Sequence, residues 1–316
     1  MKFTVLTGVV VTLLTGLGAT GALAEVESED PIRLTLHDWT GQYISTNIMA
    51  AVLEEAGYNV ELVQADYLAQ FAGMKTGDVD VAMELWATTA ADVLNEAVAG
   101  GGVVNMGETG MLAKEEWWFP EYMKETCPGL PDWKALNDCA EQFSTTETAP
   151  KGRYLSGPVT WGGFDEERVK ALGLNYEVIH AGTDAAMFAE LESAYQRKAP
   201  ILLWVYDPHW APLKYKGEWV EFPAYEPACY TDPAWGTNKE LTHDCGKPFG
   251  PIWKAAWAGM EQKWPGAFKA VQNYKMTNAE MDRMVGEVDL EGKSVEDVVD
   301  EWMTANEATW KAWIGQ

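Results

Sequence analysis

The chain is poor in residues that nucleic-acid-binding proteins and many enzymes depend on. It has four histidines in 316 residues, and 23 Lys and Arg residues stand against 48 Asp and Glu residues. The formal net charge of −25 argues against nucleic acid and anionic membranes as partners, because a polyanionic surface would repel this protein. The same charge favours a cationic or zwitterionic small molecule over a phosphate as ligand.

Catalytic motifs are also missing. Residues 25–316 contain no GxSxG elbow, no HExxH pair, no Walker phosphate loop and no GxGxxG turn. We therefore expect a binding protein and not an enzyme. The alternative is a secreted glycosidase or carbohydrate-binding protein, since sugars stack on tryptophan and their hydrolysis uses two carboxylates. The segments around Trp86 and Trp204–Trp210 hold few hydrogen-bonding side chains, which disfavours a sugar site.

Long apolar runs are lacking beyond residue 24. The first 24 residues, MKFTVLTGVVVTLLTGLGATGALA, combine Lys2, an apolar stretch and a final Ala-Leu-Ala, which is typical of a cleaved signal peptide. A membrane anchor is the alternative, although Gly and Thr interrupt the run. No later segment approaches the roughly 20 apolar residues that span a bilayer. We expect cleavage after Ala24 and a soluble protein in the periplasm.

Cysteine is scarce, with four residues in the chain. Four cysteines allow three pairings, and the simplest joins the local pairs Cys127–Cys139 and Cys229–Cys245. Neither spacing suits a zinc or redox CxxC site, whereas an oxidising compartment favours structural disulfides. We predict that these two bonds close surface loops and leave no free thiol.

The loop at 229–245 raises the question of a metal. It contains four residues with side-chain oxygens that could bind a structural Ca²⁺ ion, namely Asp232, Asn238, Glu240 and Asp244. Their spacing differs from that of an EF-hand. No other cofactor is expected.

Strand and helix patterns alternate twice along the chain. IRLTLHD, NVELVQAD and VDVAMELW read as strands, and they are separated by the helical patterns ISTNIMAAVLEEAGY and YLAQFAGMKTGD. The same order recurs between GRYLSGPVTW and PILLWVYDPHW. Such β-α-β order predicts an α/β fold with parallel sheets. The part from Ile252 to Trp313 reads as mostly helical, with Ser294 as an N-cap.

Tryptophan, in contrast, is abundant, with 16 residues. Trp39, Trp86 and Trp161 stand where predicted strands end, which is the edge where ligands of parallel sheets bind. Aromatic rings within roughly 6 Å of a quaternary ammonium attract it through cation–π interaction. We expect the tryptophans of the C-terminal part to be core residues instead: Trp253, Trp257, Trp302, Trp310 and Trp313.

Two further stretches could complete such a site. In KEEWW, an extended chain would place Glu115 and Trp117 on one side and Glu116 on the other, so that a carboxylate lies beside an aromatic ring; an exposed edge strand is the alternative. In TWGGFDEERV, the amides of Gly162 and Gly163 precede a helix and could receive the oxygen end of a ligand; an ordinary turn is the alternative.

These segments together resemble the substrate-binding proteins of ABC importers for glycine betaine, choline and related osmolytes. The resemblance rests on HDWTGQYISTNIMAAVLEEAGYNVELV, GDVDVAMELW, KEEWWFPEYM and PILLWVYDPHW. It implies a two-lobed periplasmic binding protein fold (type II) with the ligand in the cleft between the lobes. It also implies a monomer whose partners are the membrane permease and ATPase subunits of an importer. We predict lobe I at 25–112, lobe II at 113–210, and a return to lobe I at 211–316.

The resemblance also implies roles for single residues. It implies that Trp39, Trp86, Trp161 and Tyr206 face the ligand; at the position of Tyr206 the family often has tryptophan. It also places Glu115, in preference to Glu116, inside the binding pocket. Trp117, Trp204 and Gly162 complete our set of candidate ligand-binding residues.

Glu115 bears on the choice of ligand. A buried glutamate would repel the carboxylate of glycine betaine, but it would bind a choline hydroxyl or share a proton with an amine oxide. We predict a methylated amine, trimethylamine N-oxide first, with choline as an alternative. Glycine betaine, held by the Gly162 and Gly163 amides, is the other alternative.

Overall fold

The computed structural model describes residues 26–316; the predicted signal peptide, residues 1–24, lies outside them. The described chain forms ten strands, thirteen α-helices and three 3₁₀ segments. The strands are β1 Ile32–Leu36, β2 Val60–Gln64, β3 Val81–Trp86, β4 Val103–Pro120, β5 Pro128–Pro131, β6 Gly152–Ser156, β7 Tyr176–His180, β8 Leu203–Asp207, β9 Gly217–Trp219 and β10 Gly250–Trp257. The helices are α1 Thr40–Glu55, α2 Gln70–Thr76, α3 Ala91–Ala99, α4 Ala135–Asp138, α5 Asp165–Ala171, α6 Asp184–Arg197, α7 Ala211–Lys214, α8 Pro227–Thr231, α9 Met260–Lys263, α10 Pro265–Asn273, α11 Asn278–Asp289, α12 Val295–Ala305 and α13 Glu307–Trp313. The 3₁₀ segments are Glu121–Glu125, Ala140–Phe143 and Val159–Trp161.

The first β-α-β-α-β block forms as its pattern predicts. β1 pairs in parallel with β2, where Ile32 lies beside Val60, and with β3, where Leu34 lies beside Val81. All six residues of β3 are buried, as expected for a strand covered by helices on both faces. The carboxyl ends of β1, β2 and β3 therefore lie at one edge of the sheet, which we call the sheet of lobe I.

One long strand connects the two halves of the molecule. The first part of β4 pairs antiparallel with β10, up to Ala113 beside Gly250. Its second part, from Lys114, pairs antiparallel with β8. The sheet order is β2-β1-β3-β10-β4 on one side of this switch and β4-β8-β6-β7 on the other. β4 thus passes from lobe I into lobe II, and the residues at the switch lie between the lobes.

The return to lobe I begins later than predicted. β9 pairs with the second part of β4, with Trp219 beside Trp118, and the side-chain amide of Asn238 donates to the carbonyl of Ala171 at the end of α5 (3.2 Å). These contacts attach residues 217–245 to lobe II, and the chain re-enters the sheet of lobe I at β10. The limit that we placed at residue 210 therefore differs from the strand pairing, because the three residues of β9 pair with β4 at the edge of lobe II.

The C-terminal helices pack on lobe I, where α1 contacts α10, α11 and α12. The Ser294 hydroxyl accepts from the Asp297 amide (3.0 Å), so the predicted N-cap is present. Trp302 and Trp313 are buried and stack at 5.6 Å between ring centroids, as expected for core residues. Residues 250–257 form β10 and not the predicted helix, because pairing with β3 and β4 outweighs their local pattern.

Both predicted disulfides are present. Cys127 bonds to Cys139 and Cys229 bonds to Cys245, with Cα–Cα distances of 5.5 and 6.4 Å. Within residues 26–316, no helix combines the length and the apolar character that crossing a bilayer requires.

Candidate functional site

A small cavity lies between the lobes. It is lined by five aromatic side chains, one carboxyl group and one hydroxyl group. We call it the aromatic cavity, and its lining is Trp39, Tyr67, Trp86, Thr89, Glu115, Trp161 and Tyr206. Seven side chains are enough to surround it. A compact ligand therefore suits it better than an oligosaccharide.

Lobe I supplies three rings from the carboxyl ends of its strands. Trp39 follows β1, Tyr67 follows β2 and Trp86 ends β3. The rings of Trp39 and Tyr67 lie 5.2 Å apart at 89°, an edge-to-face arrangement that aromatic pairs favour. The Tyr67 hydroxyl accepts a hydrogen bond from the Trp86 backbone amide (2.7 Å). The three strand ends thus form one continuous wall.

Lobe II supplies the facing rings, Trp161 and Tyr206. Trp161 meets Trp39 at 5.7 Å, and Tyr206 meets Trp86 at 5.4 Å, both edge to face. The two lobe II rings also touch each other at 5.9 Å. Because Trp39 and Trp86 belong to lobe I, the aromatic contacts across the cavity bring the two lobes together around it.

Four of these rings donate their polar hydrogen to a carboxylate outside the cavity. Both Trp39 Nε1 and Trp86 Nε1 donate to Glu84 Oε2 (2.9 and 3.2 Å). Trp161 Nε1 donates to Asp38 Oδ1 (2.6 Å), and the Tyr206 hydroxyl donates to Asp184 Oδ1 (2.8 Å). The polar edges of the four rings are therefore engaged elsewhere. What these rings offer a ligand is aromatic surface, and the faces of aromatic rings attract cations.

Glu115 is the carboxyl group of the cavity. It stands on β4 just past the switch between lobes and is 8% exposed. Its Oε2 is buried and has no hydrogen-bond partner among the described residues. Burial raises the pKa of Glu115 to about 7, against the opposing charge of Lys247. Near neutral pH this group can therefore act either as a hydrogen-bond donor or as an acceptor.

Glu116 is turned to the other side of the strand. Its Oε1 accepts from Arg168 Nη1 (2.6 Å) in a buried ion pair, and its Oε2 accepts from the Lys247 amide (2.9 Å). The alternation along β4 thus places Glu115 in the cavity and Glu116 in the interior of lobe II.

Two predicted candidates lie behind the cavity. Trp117 is fully buried, stacks on Tyr154 at 3.8 Å and donates to Asp165 (2.8 Å). Trp204 is also fully buried, and Lys247 Nζ lies 3.2 Å from the centroid of its ring. Neither Trp117 nor Trp204 lines the cavity, so the prediction that they contact the ligand is wrong. On their strands these residues point into the core of lobe II.

Gly162 is likewise outside the cavity lining. It follows a 3₁₀ segment and adopts φ = +76°, a conformation that favours glycine. Its amide donates to the carbonyl of Val159 (3.3 Å). The turn that we gave as the alternative reading is thus formed, and this amide is already engaged within it.

Sequence reasoning missed Tyr67 and Thr89. Tyr67 comes directly after the NVELVQAD pattern, so the strand-end rule that found Trp39 and Trp86 could also have found it. Thr89 lies in the turn after β3 and carries no comparable signal, because threonine is common in turns.

The predicted calcium ligands Asp232, Asn238 and Asp244 accept hydrogen bonds from backbone amides of the same loop. Asp244 Oδ2 accepts from the Asn238 amide (2.8 Å), Asn238 Oδ1 accepts from the Glu240 amide (3.0 Å), and Asp232 Oδ1 accepts from an amide within its own turn (2.9 Å). These oxygens stabilise turns of the 229–245 loop, and the calcium site there stays a prediction.

Another group, Asp184, His209 and Asp289, has ligand atoms within 4.8 Å of one another. His209 Nδ1 accepts from the Ala211 amide (3.1 Å), so the proton of the neutral ring is on Nε2, the nitrogen that faces Asp289. A metal-binding histidine usually shows the opposite pattern, with its second nitrogen donating. His209 Nε2 lies 3.7 Å from Asp289 Oδ2, beyond hydrogen-bond distance, whereas Trp210 Nε1 donates to the same oxygen (2.8 Å). This group therefore reads as a contact between lobes that the Trp210–Asp289 hydrogen bond makes.

Comparison with known proteins identifies the family of this chain. Residues 30–305 match the family described as the substrate binding domain of ABC-type glycine betaine transport system. The chain is 30% identical over 294 residues to the trimethylamine N-oxide-binding protein of Pelagibacter ubique (strain HTCC1062), covering 90% of each chain.

Solved structures show the fold. Lactococcal OpuAC, in its closed-liganded conformation with glycine betaine, has a TM-score of 0.68 at 17% identity, covering 90% of this chain and 100% of that one. A choline binding protein of an ABC transporter, in complex with choline, has a TM-score of 0.72 at 18% identity, covering 91% and 93%. The chain therefore has the two-lobed fold of periplasmic substrate-binding proteins, and it belongs to the family of substrate-binding domains of ABC-type glycine betaine transport systems.

Proposed function

We propose that this protein captures trimethylamine N-oxide in the aromatic cavity and delivers it, after export to the periplasm, to the permease and ATPase of an importer. The observation that carries the proposal is the combination of five aromatic rings with one carboxyl group whose Oε2 has no partner among the described residues. A trimethylated nitrogen cannot donate hydrogen bonds, so aromatic faces replace its water shell better than polar groups do. The oxygen then needs one polar partner.

The rings can supply enough affinity for a transport protein. A cation–π contact contributes about 0.5–2 kcal/mol, with the higher values at desolvated sites. The five rings here are each at most 6% exposed. Three or four such contacts together with the burial of three methyl groups reach the roughly 8 kcal/mol of a micromolar complex.

Glu115 supports the N-oxide over related ligands. The oxygen of an N-oxide only accepts hydrogen bonds, and the protonated form of Glu115 can donate one; a pKa of about 7 keeps that form accessible. The 30% identity to a trimethylamine N-oxide-binding protein supports the same choice. Choline is the second candidate, because its hydroxyl would donate to the unpartnered oxygen of ionised Glu115.

Glycine betaine and sugars fit less well. A betaine carboxylate beside ionised Glu115 would be repelled, and the Gly162 amide that could hold it is engaged in a turn. Hydrolysis of a glycoside needs two carboxyl groups at the bond that breaks, whereas the cavity lining contains one. We therefore propose binding without chemistry.

Calorimetric titration of the ligand-stripped protein tests the proposal. Trimethylamine N-oxide should bind more tightly than choline or glycine betaine, and Glu115→Gln, which keeps a donor but not the charge, should retain the N-oxide and lose choline. The matched control is Glu125→Gln, which removes an exposed glutamate of a 3₁₀ segment and should change nothing. Absence of heat from all three ligands would refute the aromatic cavity as a methylated-amine site.

A further inference from the structure

Glu84 is a buried carboxylate that holds two rings of the cavity from behind. It stands within β3, two residues before Trp86, and is 1% exposed. Its Oε2 accepts from the indole nitrogens of both Trp39 (2.9 Å) and Trp86 (3.2 Å). Its Oε1 accepts from the Ser45 hydroxyl (2.6 Å). Three donors thus converge on one carboxyl group.

This carboxylate has no cation beside it. Within residues 26–316, no Lys, Arg or His nitrogen lies within salt-bridge distance of Glu84. Burying a carboxylate without a counter-ion is costly, and burial raises the pKa of Glu84. The other five residues of β3 are buried as well and all of them are apolar, so an apolar side chain at position 84 would also suit the core. We therefore expect the carboxyl group of Glu84 to have a role in the aromatic cavity.

A second layer of hydrogen bonds orients Glu84. Tyr274 follows α10, and its hydroxyl donates to Ser45 Oγ (3.1 Å), which in turn donates to Glu84 Oε1. Ser45 lies on α1, so the chain of hydrogen bonds connects the C-terminal region of lobe I to β3. It holds Oε1 in place and leaves Oε2 to the two indoles.

We propose that Glu84 is the positioning residue of the aromatic cavity. Its Oε2 fixes the angle between the rings of Trp39 and Trp86, so that both faces are set for one trimethylated cation before the ligand arrives. Donation from an indole N–H to a carboxylate also polarises the ring, which increases the attraction of its face for a cation. This inference rests on the proposed function, since it specifies how that site is kept ready.

Two substitutions separate the hydrogen bonds from the charge. Glu84→Gln can keep an oxygen at the Oε2 position and turn its amide towards Ser45, so it should hold both indoles. Glu84→Leu removes the acceptor altogether. The matched control is Asp80→Asn, because Asp80 is also fully buried, just before the start of β3, and accepts from the Arg33 amide (2.8 Å) far from the cavity.

The first readout is ligand affinity. The Leu variant should bind trimethylamine N-oxide at least about tenfold more weakly, because the rings of Trp39 and Trp86 are no longer aligned for cation–π contact. The Gln variant should stay within about fivefold of the wild type, since it loses only the charge of a group that does not touch the ligand. Asp80→Asn should lower thermal stability and leave affinity unchanged. If Glu84→Leu does not fold, Glu84→Asp, which withdraws the carboxylate by one methylene, replaces it with the same expectation.

The second readout needs no ligand. The indole N–H resonances of Trp39 and Trp86, assigned by single Trp→Phe substitutions, should move in Glu84→Leu and stay in place in Asp80→Asn. Wild-type affinity in the Leu variant, an equal loss in Asp80→Asn, or unmoved indole resonances would each overturn the inference. If the wild type binds no methylated amine, the proposed function fails, while the indole resonances still decide whether Glu84 holds the two rings.

Discussion

Raising the pH should weaken the binding of trimethylamine N-oxide and strengthen that of choline, because the two ligands need opposite forms of Glu115. Burial raises the pKa of this group to about 7 from its usual 4.5. The N-oxide oxygen requires the protonated form as a donor, whereas the choline hydroxyl and its full positive charge require the carboxylate. With this pKa, the protonated fraction falls from about 0.9 at about pH 6 to about 0.1 at about pH 8. The affinity for the N-oxide should then fall about tenfold, or about 1.4 kcal/mol.

Titration calorimetry in buffers of different ionisation enthalpy checks this directly. At the higher pH, binding of the N-oxide should take up close to one proton per ligand, and at the lower pH almost none. Glu115→Gln does not titrate, so its affinity for the N-oxide should be independent of pH over this interval. A flat profile in the wild type, or an unchanged slope in Glu115→Gln, would refute the role of Glu115 as proton donor.

Three other outcomes are expected. Trp161→Ala should weaken binding of trimethylamine N-oxide by about 10- to 100-fold, because it removes one cation–π face and the hydrogen bond to Asp38 that joins the lobes. The control is Trp133→Phe, which lies outside the cavity. Equal affinities of the two variants in calorimetry would exclude Trp161 from the site. Glu115→Gln should be more stable than the wild type by about 3 kcal/mol in denaturant unfolding above about pH 7 and equally stable below about pH 4. The sign follows because the folded-state pKa lies above that of the unfolded chain, so the wild type loses stability as the pH rises between the two values, and an advantage confined to low pH would contradict it. Replacing Cys229 and Cys245 together by serine should lower the free energy of unfolding by about 3 kcal/mol, the usual value for a loop near 15 residues. The folded variant should keep its affinity for the ligand. An unchanged midpoint of unfolding would show that other contacts hold the loop.

Much of the site could be predicted because it follows from strand order. The carboxyl ends of parallel strands share one edge, and Trp39 and Trp86 end strands whose patterns are unambiguous. Tyr67 follows the same rule and was overlooked. In each case a local pattern suffices, since the end of a strand can be read from a few neighbouring residues.

Other residues could not be placed from local patterns. Trp117 and Trp204 pair with each other across β4 and β8, and both side chains enter the core of lobe II. By strand alternation these two residues share a face with Glu115 and Tyr206, but they lie two residues further from the switch between the lobes. A strand pattern therefore cannot tell how far along this face the cavity extends. The late return of the chain to lobe I has a similar cause, because β9 is three residues long and its role depends on the edge that it covers.

By itself, then, the sequence determined the order of strands and helices in the first block of lobe I and in the central block of lobe II, the local disulfides and the presence of aromatic rings at strand ends, because each depends on neighbours along the chain. Only the tertiary structure decided that β4 crosses between lobes, that Glu115 and not Glu116 enters the cavity, and that Glu84 holds Trp39 from 45 positions away. These features depend on strand register and on contacts between distant segments, and such contacts arise only when the core is packed.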